Sequence, residues 1–180
     1  LTETVVEKKK AILDSKLILS WHKTLLSHID DKIAGRFRSG KEWVRVGNHL
    51  GANPAFVATL MQELVDRFKK DKTSYFLDAI ADFHAEFETI HPFVDGNGRT
   101  TRMAKNWILM YKFCPPIFIS TSKEKKEYIE TLEKSFIYLS EGTYEWNNYL
   151  ELFFEQELDR IIKNASEVYY TVKEIGNKRN

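Results

Sequence analysis

His91-Pro92-Phe93-Val94-Asp95-Gly96-Asn97-Gly98-Arg99-Thr100-Thr101-Arg102 decides the reading of this 180-residue chain, because it gathers nearly every group that phosphate chemistry needs. A residue before proline is disfavoured in the α region, so a helix running up to Ile90 stops there and His91 stands at a helix-to-loop corner. Gly96 and Gly98 free the backbone to turn tightly and to converge amide N–H groups on an anion. A second helix opening near Gly98 points its unpaired N–H groups and the positive end of its dipole into the same turn. Arg99 and Arg102, three apart, stand over one side of that helix's first turn, which is unfavourable beside the dipole unless an anion binds there. Asp95 adds a hard oxygen of the kind Mg²⁺ shares with phosphate oxygens, and His91 a group that exchanges a proton near neutral pH.

Outward from this turn the chain reads as its scaffold. Upstream, Phe76, Ile80, Phe83, Phe87 and Ile90 alternate by four and three, the clearest core stripe present, with His84 as a satisfied packing residue beside it. Downstream, Met103, Trp107 and Met110 continue a buried helix to near Lys112, which Pro115-Pro116 end. Asn53-Pro54 signals the start of a helix that runs to about Lys70 with Val57, Leu60, Met61, Leu64 and Phe68 inward. Thr4 to Ile29 reads as helix through Ile12, Leu17, Leu19, Trp21, Leu25 and Leu26. His22 and His28 lie in it and read as packed or surface histidines, since no zinc-ligand spacing surrounds them. Thr121 with Glu124 forms a capping box for a helix facing inward through Ile129, Leu132, Phe136 and Leu139, ended by Gly142. Thr143 caps the next, with Trp146, Leu150, Phe153, Phe154, Leu158 and Ile162 inward, and Ser166 to Glu174 forms one more. Between Ala34 and Gly47, glycines interrupt a stretch where Trp43, Val44 and Val46 favour extended structure, which predicts a short β-hairpin. The fold class is therefore all-α, one helical bundle over residues 1–180 with one hairpin.

The twelve opening residues match, at every fixed position, the Fic signature His-Pro-Phe-x-Asp/Glu-Gly-Asn-Gly-Arg-x-x-Arg, so the chain resembles the Fic family. Asn106 agrees with the usual continuation. The resemblance implies a protein adenylyltransferase that moves AMP from ATP to a Ser, Thr or Tyr hydroxyl of a target protein and releases pyrophosphate. His91 is then the base. Gly96, Asn97, Gly98 and Arg99 hold phosphate oxygens with Arg102 behind them, and Asp95 anchors Mg²⁺. Phe93 holds the loop from inside. Residues 35–47, with Arg36-Phe37-Arg38 and Val44-Arg45-Val46-Gly47, look like the family's flap, which holds the target by strand addition; by itself the segment reads equally well as a loop that covers the core. The Doc branch, a phosphotransferase, carries lysine where Gly98 stands, so Gly98 favours adenylyl transfer.

Each residue of the signature taken singly is explained by a glycine-rich turn with surface salt bridges. The full set has no joint packing reason. An inhibitory Ser/Thr-x-x-x-Glu-Gly/Asn helix is absent as a motif, because Glu141 is preceded four residues earlier by Ile137. That leaves an antitoxin-like partner meeting Arg102, a helix in residues not present, or no restraint. The competing functional class is a binding module of toxin–antitoxin type, against which an intact His91 speaks.

Composition bounds the remainder. A hydrophobic fraction of 43% with 13% aromatics indicates a globular chain, and a net charge of +1 offers no case for nucleic acid or a membrane surface. Cys114 is the only cysteine, which excludes an internal disulfide and suits a reducing compartment, so the expected location is cytoplasmic. Neither a signal peptide nor a membrane-length apolar run is visible, and the opening at Leu1 rather than Met limits both readings to these residues.

Overall fold

The structure, a computed structural model, describes residues 13–47, 49–71, 75–112, 114–119, 121–139 and 148–177, with the side chains of 135–139, 148–150, 172 and 175–177 outside the description. Among the described residues the order is α1 Ser15–Leu26, β1 Arg45–Val46, β2 His49–Leu50, α2 Val57–Lys70, α3 Phe76–Ile90, α4 Asn97–Tyr111, α5 Ser122–Leu139 and α6 Asn148–Asn177. The fold is an all-α bundle with one small antiparallel hairpin, as its periodicities predict.

Helix α3 is the axis. Its expected stripe, Ile80, Phe83, Phe87 and Ile90, is buried in a core shared with Ile18 and Trp21 of α1, Met61 and Leu64 of α2, and Trp107 of α4. Its other side is buried too, since Ala81 and Ala85 pack with Tyr128 and Leu132 of α5 and Phe153 and Phe154 of α6. Removing one such ring, as in Phe83→Ala, costs about 3–5 kcal/mol. Being packed on both sides, α3 holds its C-terminal end, where His91 stands, at a fixed place relative to α4.

Several boundaries differ from the sequence reading. Helix α1 starts where Asp14 accepts a hydrogen bond from Leu17 N at 2.7 Å, and it stops before Ile29, which is exposed because Ser27 and His28 leave the helical region. Its expected portion from Thr4 through Ile12 lies outside the described residues. Asn53 caps a turn rather than the helix: its side chain accepts from Ala55 N at 3.0 Å, and α2 begins at Val57. The Thr121–Glu124 capping box forms, but Tyr128 takes the inward place foreseen for Ile129, which is 40% exposed. On α6, Ile161 is buried and Ile162 is not, a shift of one residue. The helix foreseen over Ser166 to Glu174 is the continuation of α6, because neither glycine nor proline interrupts the chain there. Phe136, Ile137, Leu139, Glu141, Gly142, Thr143, Trp146 and Leu150 lie outside the described side chains. The hairpin pairs Arg45 with Leu50 and Val46 with His49, so it lies C-terminal to most of the expected 35–47 span. None of the helices is long and apolar enough to cross a membrane, among the described residues.

Candidate active site

Pro92 ends α3, and His91 takes a left-handed conformation at its C-cap, with φ 52° and ψ 64°. Such a conformation in a residue with a Cβ costs about 1–2 kcal/mol and persists only when its surroundings enforce it. Four consecutive carbonyls at this helix end are taken by the segment that carries the hairpin. His49 Nε2 donates to Thr89 O at 2.8 Å, Ala52 N to Ile90 O at 3.1 Å, Arg38 Nε to His91 O at 2.6 Å, and Arg38 N to Pro92 O at 2.9 Å. These are the orphan acceptors every helix end leaves behind.

The imidazole of His91 is only slightly exposed, with Nδ1 at 3.3 Å from Glu88 O and 3.7 Å from a Glu88 carboxylate oxygen. A carbonyl can only accept, so the proton sits on Nδ1 and Nε2 carries a free lone pair. Burial lowers the pKa of His91 to about 4, and the ring is neutral near pH 7. Burial pushes the Glu88 carboxyl up to about 7.

The turn itself is held from within. Phe93 is fully buried and stacks on His22 with ring centres 3.7 Å apart and planes 4° from parallel. His22 accepts from Gly35 N at Nδ1, 2.9 Å, and so donates from Nε2 to Asp95 O, 3.0 Å, which ties α1 and the approach to the hairpin onto the turn. Gly96 is required for two reasons: its φ is +82°, and a Cβ there would lie 2.8 Å from Leu26 Cδ2.

The Asn97 side chain has a different job from the phosphate contact foreseen for it. Both ends are spent on the Phe93 backbone, accepting from its N–H and donating to its C=O, each at 2.8 Å. What remains for an anion is main chain, since Asn97, Gly98 and Arg99 N–H in the first turn of α4 have no acceptor among the described residues. Gly98 also differs from its expected role, for it is helical with no positive φ. Its missing side chain makes room for Arg102, whose Nη1 lies 3.0 Å from where a Cβ would stand. Arg99 points to solvent and pairs with Asp95 at 2.9 Å, an exposed ion pair of small net worth that a ligand can replace. Arg102 instead folds back toward Glu88 and the Tyr128 hydroxyl.

Asp95 offers one exposed carboxylate, and no group of three His, Cys, Asp or Glu gathers for a metal among the described residues. This donor set fits a cation that takes most of its oxygens from water and phosphate, as Mg²⁺ does.

In the expected flap, Val44 and Val46 are half-buried and Arg45 is exposed. The residues before them support the site from inside. Arg36 is paired bidentately with Glu42, holding that carboxyl down to about 2, Phe37 packs on Phe93, and Arg38 is buried. Sequence reasoning missed His22 and Glu88 as site residues, and it placed Arg38 in the flap-like segment without foreseeing its contact with the end of α3. Glu88 carried a signal, standing one helical turn before His91.

A neutral imidazole at the end of one helix, with amides that have no acceptor among the described residues and two arginines at the start of the next, gives a helical domain whose chemistry suits an anion such as a polyphosphate. The chain belongs to the Fic/DOC family, whose model matches residues 12–109. It is 37% identical over 123 residues to the protein adenylyltransferase Fic of Drosophila melanogaster, covering 67% of this chain and 24% of that protein. The chain thus spans about a quarter of the length of this relative. Among solved structures, a Fic domain-containing signalling protein from Bacteroides thetaiotaomicron superposes with a TM-score of 0.77 at 24% identity, over 92% of this chain and 66% of that one. Fic-1 from C. elegans superposes with 0.74 at 22% identity, over 96% and 50%. Both show the same fold.

Proposed function

We propose that this chain is the transferase domain of a protein adenylyltransferase, moving AMP from ATP to a Ser, Thr or Tyr hydroxyl of a target protein. The observation that carries it is the 3.3 Å contact of His91 Nδ1 with Glu88 O, which places the proton on Nδ1 and leaves the Nε2 lone pair without a partner among the described residues. The free amides of α4 with Arg99 and Arg102 would hold the phosphates, and Asp95 would hold Mg²⁺, which when bound offsets charge on the phosphate oxygens. The target's hydroxyl proton passes to His91 Nε2 as its oxygen bonds the α-phosphorus. The bond from that phosphorus to the bridging oxygen breaks, pyrophosphate leaves, and the target carries AMP. Strand β1 pairs on one side only, with β2, among the described residues, and its other edge, with Arg45, Val46 and the preceding Val44, would take an extended target segment.

Transfer of the γ-phosphoryl group is the second reading. It is disfavoured by Gly98, since the Doc branch that transfers a phosphoryl group carries lysine at this place. An antitoxin-like inhibitor would act by placing a carboxylate on Arg102, and the lone thiol of Cys114 suits a cytoplasmic place of action. Parallel incubations with α- and γ-labelled ATP test the reading: protein labelled only from the α position, and not by His91→Ala, is expected. Label retained by that variant, or arriving only from the γ position, refutes it.

A further inference from the structure

Arg38 is 1% exposed and, among the described residues, has no carboxylate within salt-bridge distance, although the Glu42 side chain is held nearby by Arg36. A buried charge without an ionic partner is expensive, and what compensates it here is a set of carbonyl dipoles. Arg38 donates to His91 O at 2.6 Å and Ile90 O at 2.9 Å, the negative end of the α3 dipole, and on its other side to Glu42 O at 3.3 Å and to Ala52 O. Glu42 and Ala52 flank the hairpin, so a single planar fork spans from the backbone of the base to both roots of the strand pair. Gly51 completes the arrangement. A Cβ there would lie 2.9 Å from Arg38 Nη2 and 3.1 Å from His91 Cβ, so the chain leaves a side chain out where the fork and the histidine meet.

We propose that Arg38 is the positioning residue of this site. It enforces the left-handed backbone of His91 and sets the spacing between the imidazole and the β1 edge, and with it the place where a target hydroxyl arrives. This rests on reading His91 as the base and β1 as the docking edge. A lysine cannot substitute, because one ammonium does not reach carbonyls on both sides of a fork.

The test uses the full chain with R38K, which keeps the charge and loses the fork, and G51A, which keeps the arginine but crowds its guanidinium away from the same contact. Three readouts are compared with wild type: kcat and KM for labelling from α-labelled ATP, ATP affinity by titration, and the His91 ring-nitrogen shifts by NMR. Folded variants are expected to bind ATP within about 2-fold of wild type. Their kcat is expected to fall about 10²-fold, the scale for a misplacement near 1 Å. The His91 nitrogens move from the Nδ1–H pattern toward a mixture of tautomers. Either variant folded with wild-type kcat and wild-type His91 shifts overturns the proposal. If R38K does not fold, G51A decides on the same criteria. Wild-type protein that labels nothing sinks the transferase reading alone, since the nitrogen shifts still report whether Arg38 holds the ring.

Discussion

Nδ1 of His91 lies 3.3 Å from the carbonyl of Glu88, one turn earlier on the same helix, and this contact assigns the basic nitrogen of the site to Nε2. Burial lowers the pKa of His91 to about 4. The base is therefore uncharged above that pH, and transfer is expected to persist down to about pH 4 and to be lost as pH falls through it. A free imidazole would lose activity near 6.5. A pH–rate profile, with circular dichroism alongside to confirm folding, checks this; an acid limb near 6.5 contradicts it. His91→Ala should lower transfer by at least about 10²–10⁴-fold while leaving ATP binding in place.

The same shifts bear on stability. His84 is fully buried with Nε2 at 2.6 Å from the Tyr128 hydroxyl, and burial drives its pKa to about 3. For His84 and His91 the unfolded chain takes up its proton first, so their contribution is complete above the ordinary value of 6.5. It is lost as pH falls toward about 4 and then 3. Denaturant midpoints measured from pH 7 to 4 should fall steadily on the acid side.

Glu88 works in the opposite sense. Its folded-state pKa is raised to about 7, chiefly by burial, so its stabilising effect is present below the ordinary 4.5 and is lost as pH rises through 7. Glu88→Gln removes this dependence. Between pH 5 and 8 the wild type should lose stability relative to the variant, and parallel unfolding curves at every pH would rule the assignment out.

Two glycines in one turn are expected to respond differently. Gly96→Ala forces a side chain into positive φ and against Leu26, and should destabilise by about 1–3 kcal/mol in urea titrations. Gly98→Ala crowds the flexible end of Arg102 at 3.0 Å and touches Glu88 Oε1 at an ordinary 3.7 Å, in a helix, where alanine is favoured by up to about 1 kcal/mol. The second variant should be as stable as wild type or more so, with ATP affinity lowered because Arg102 is displaced.

His22→Ala would leave Gly35 N–H and Asp95 C=O without partners and remove the ring stacked on Phe93. A loss of about 3 kcal/mol is expected, together with weaker ATP binding, since the turn loses its tie to α1. Unchanged ATP affinity in folded His22→Ala protein would show that the tie does not shape the turn.

Much of this was legible in the chain because it is local. The α3 stripe, the proline stop at His91, the Thr121–Glu124 box and the clustering of glycines with Asp95, Arg99 and Arg102 all act over spans of one to four residues, where periodicity and backbone chemistry leave little choice. What the sequence by itself determined was thus the helical class and the presence of a phosphate-type turn between two buried helices. Only the tertiary structure decided which side chains are spent holding the turn. The Asn97 amide closes on Phe93, His22 reaches the loop across 73 residues, and Arg38 reaches the α3 terminus across 53. Those roles follow from orphan backbone groups that must find donors or acceptors in space, and no spacing along the chain specifies which distant residue will supply them.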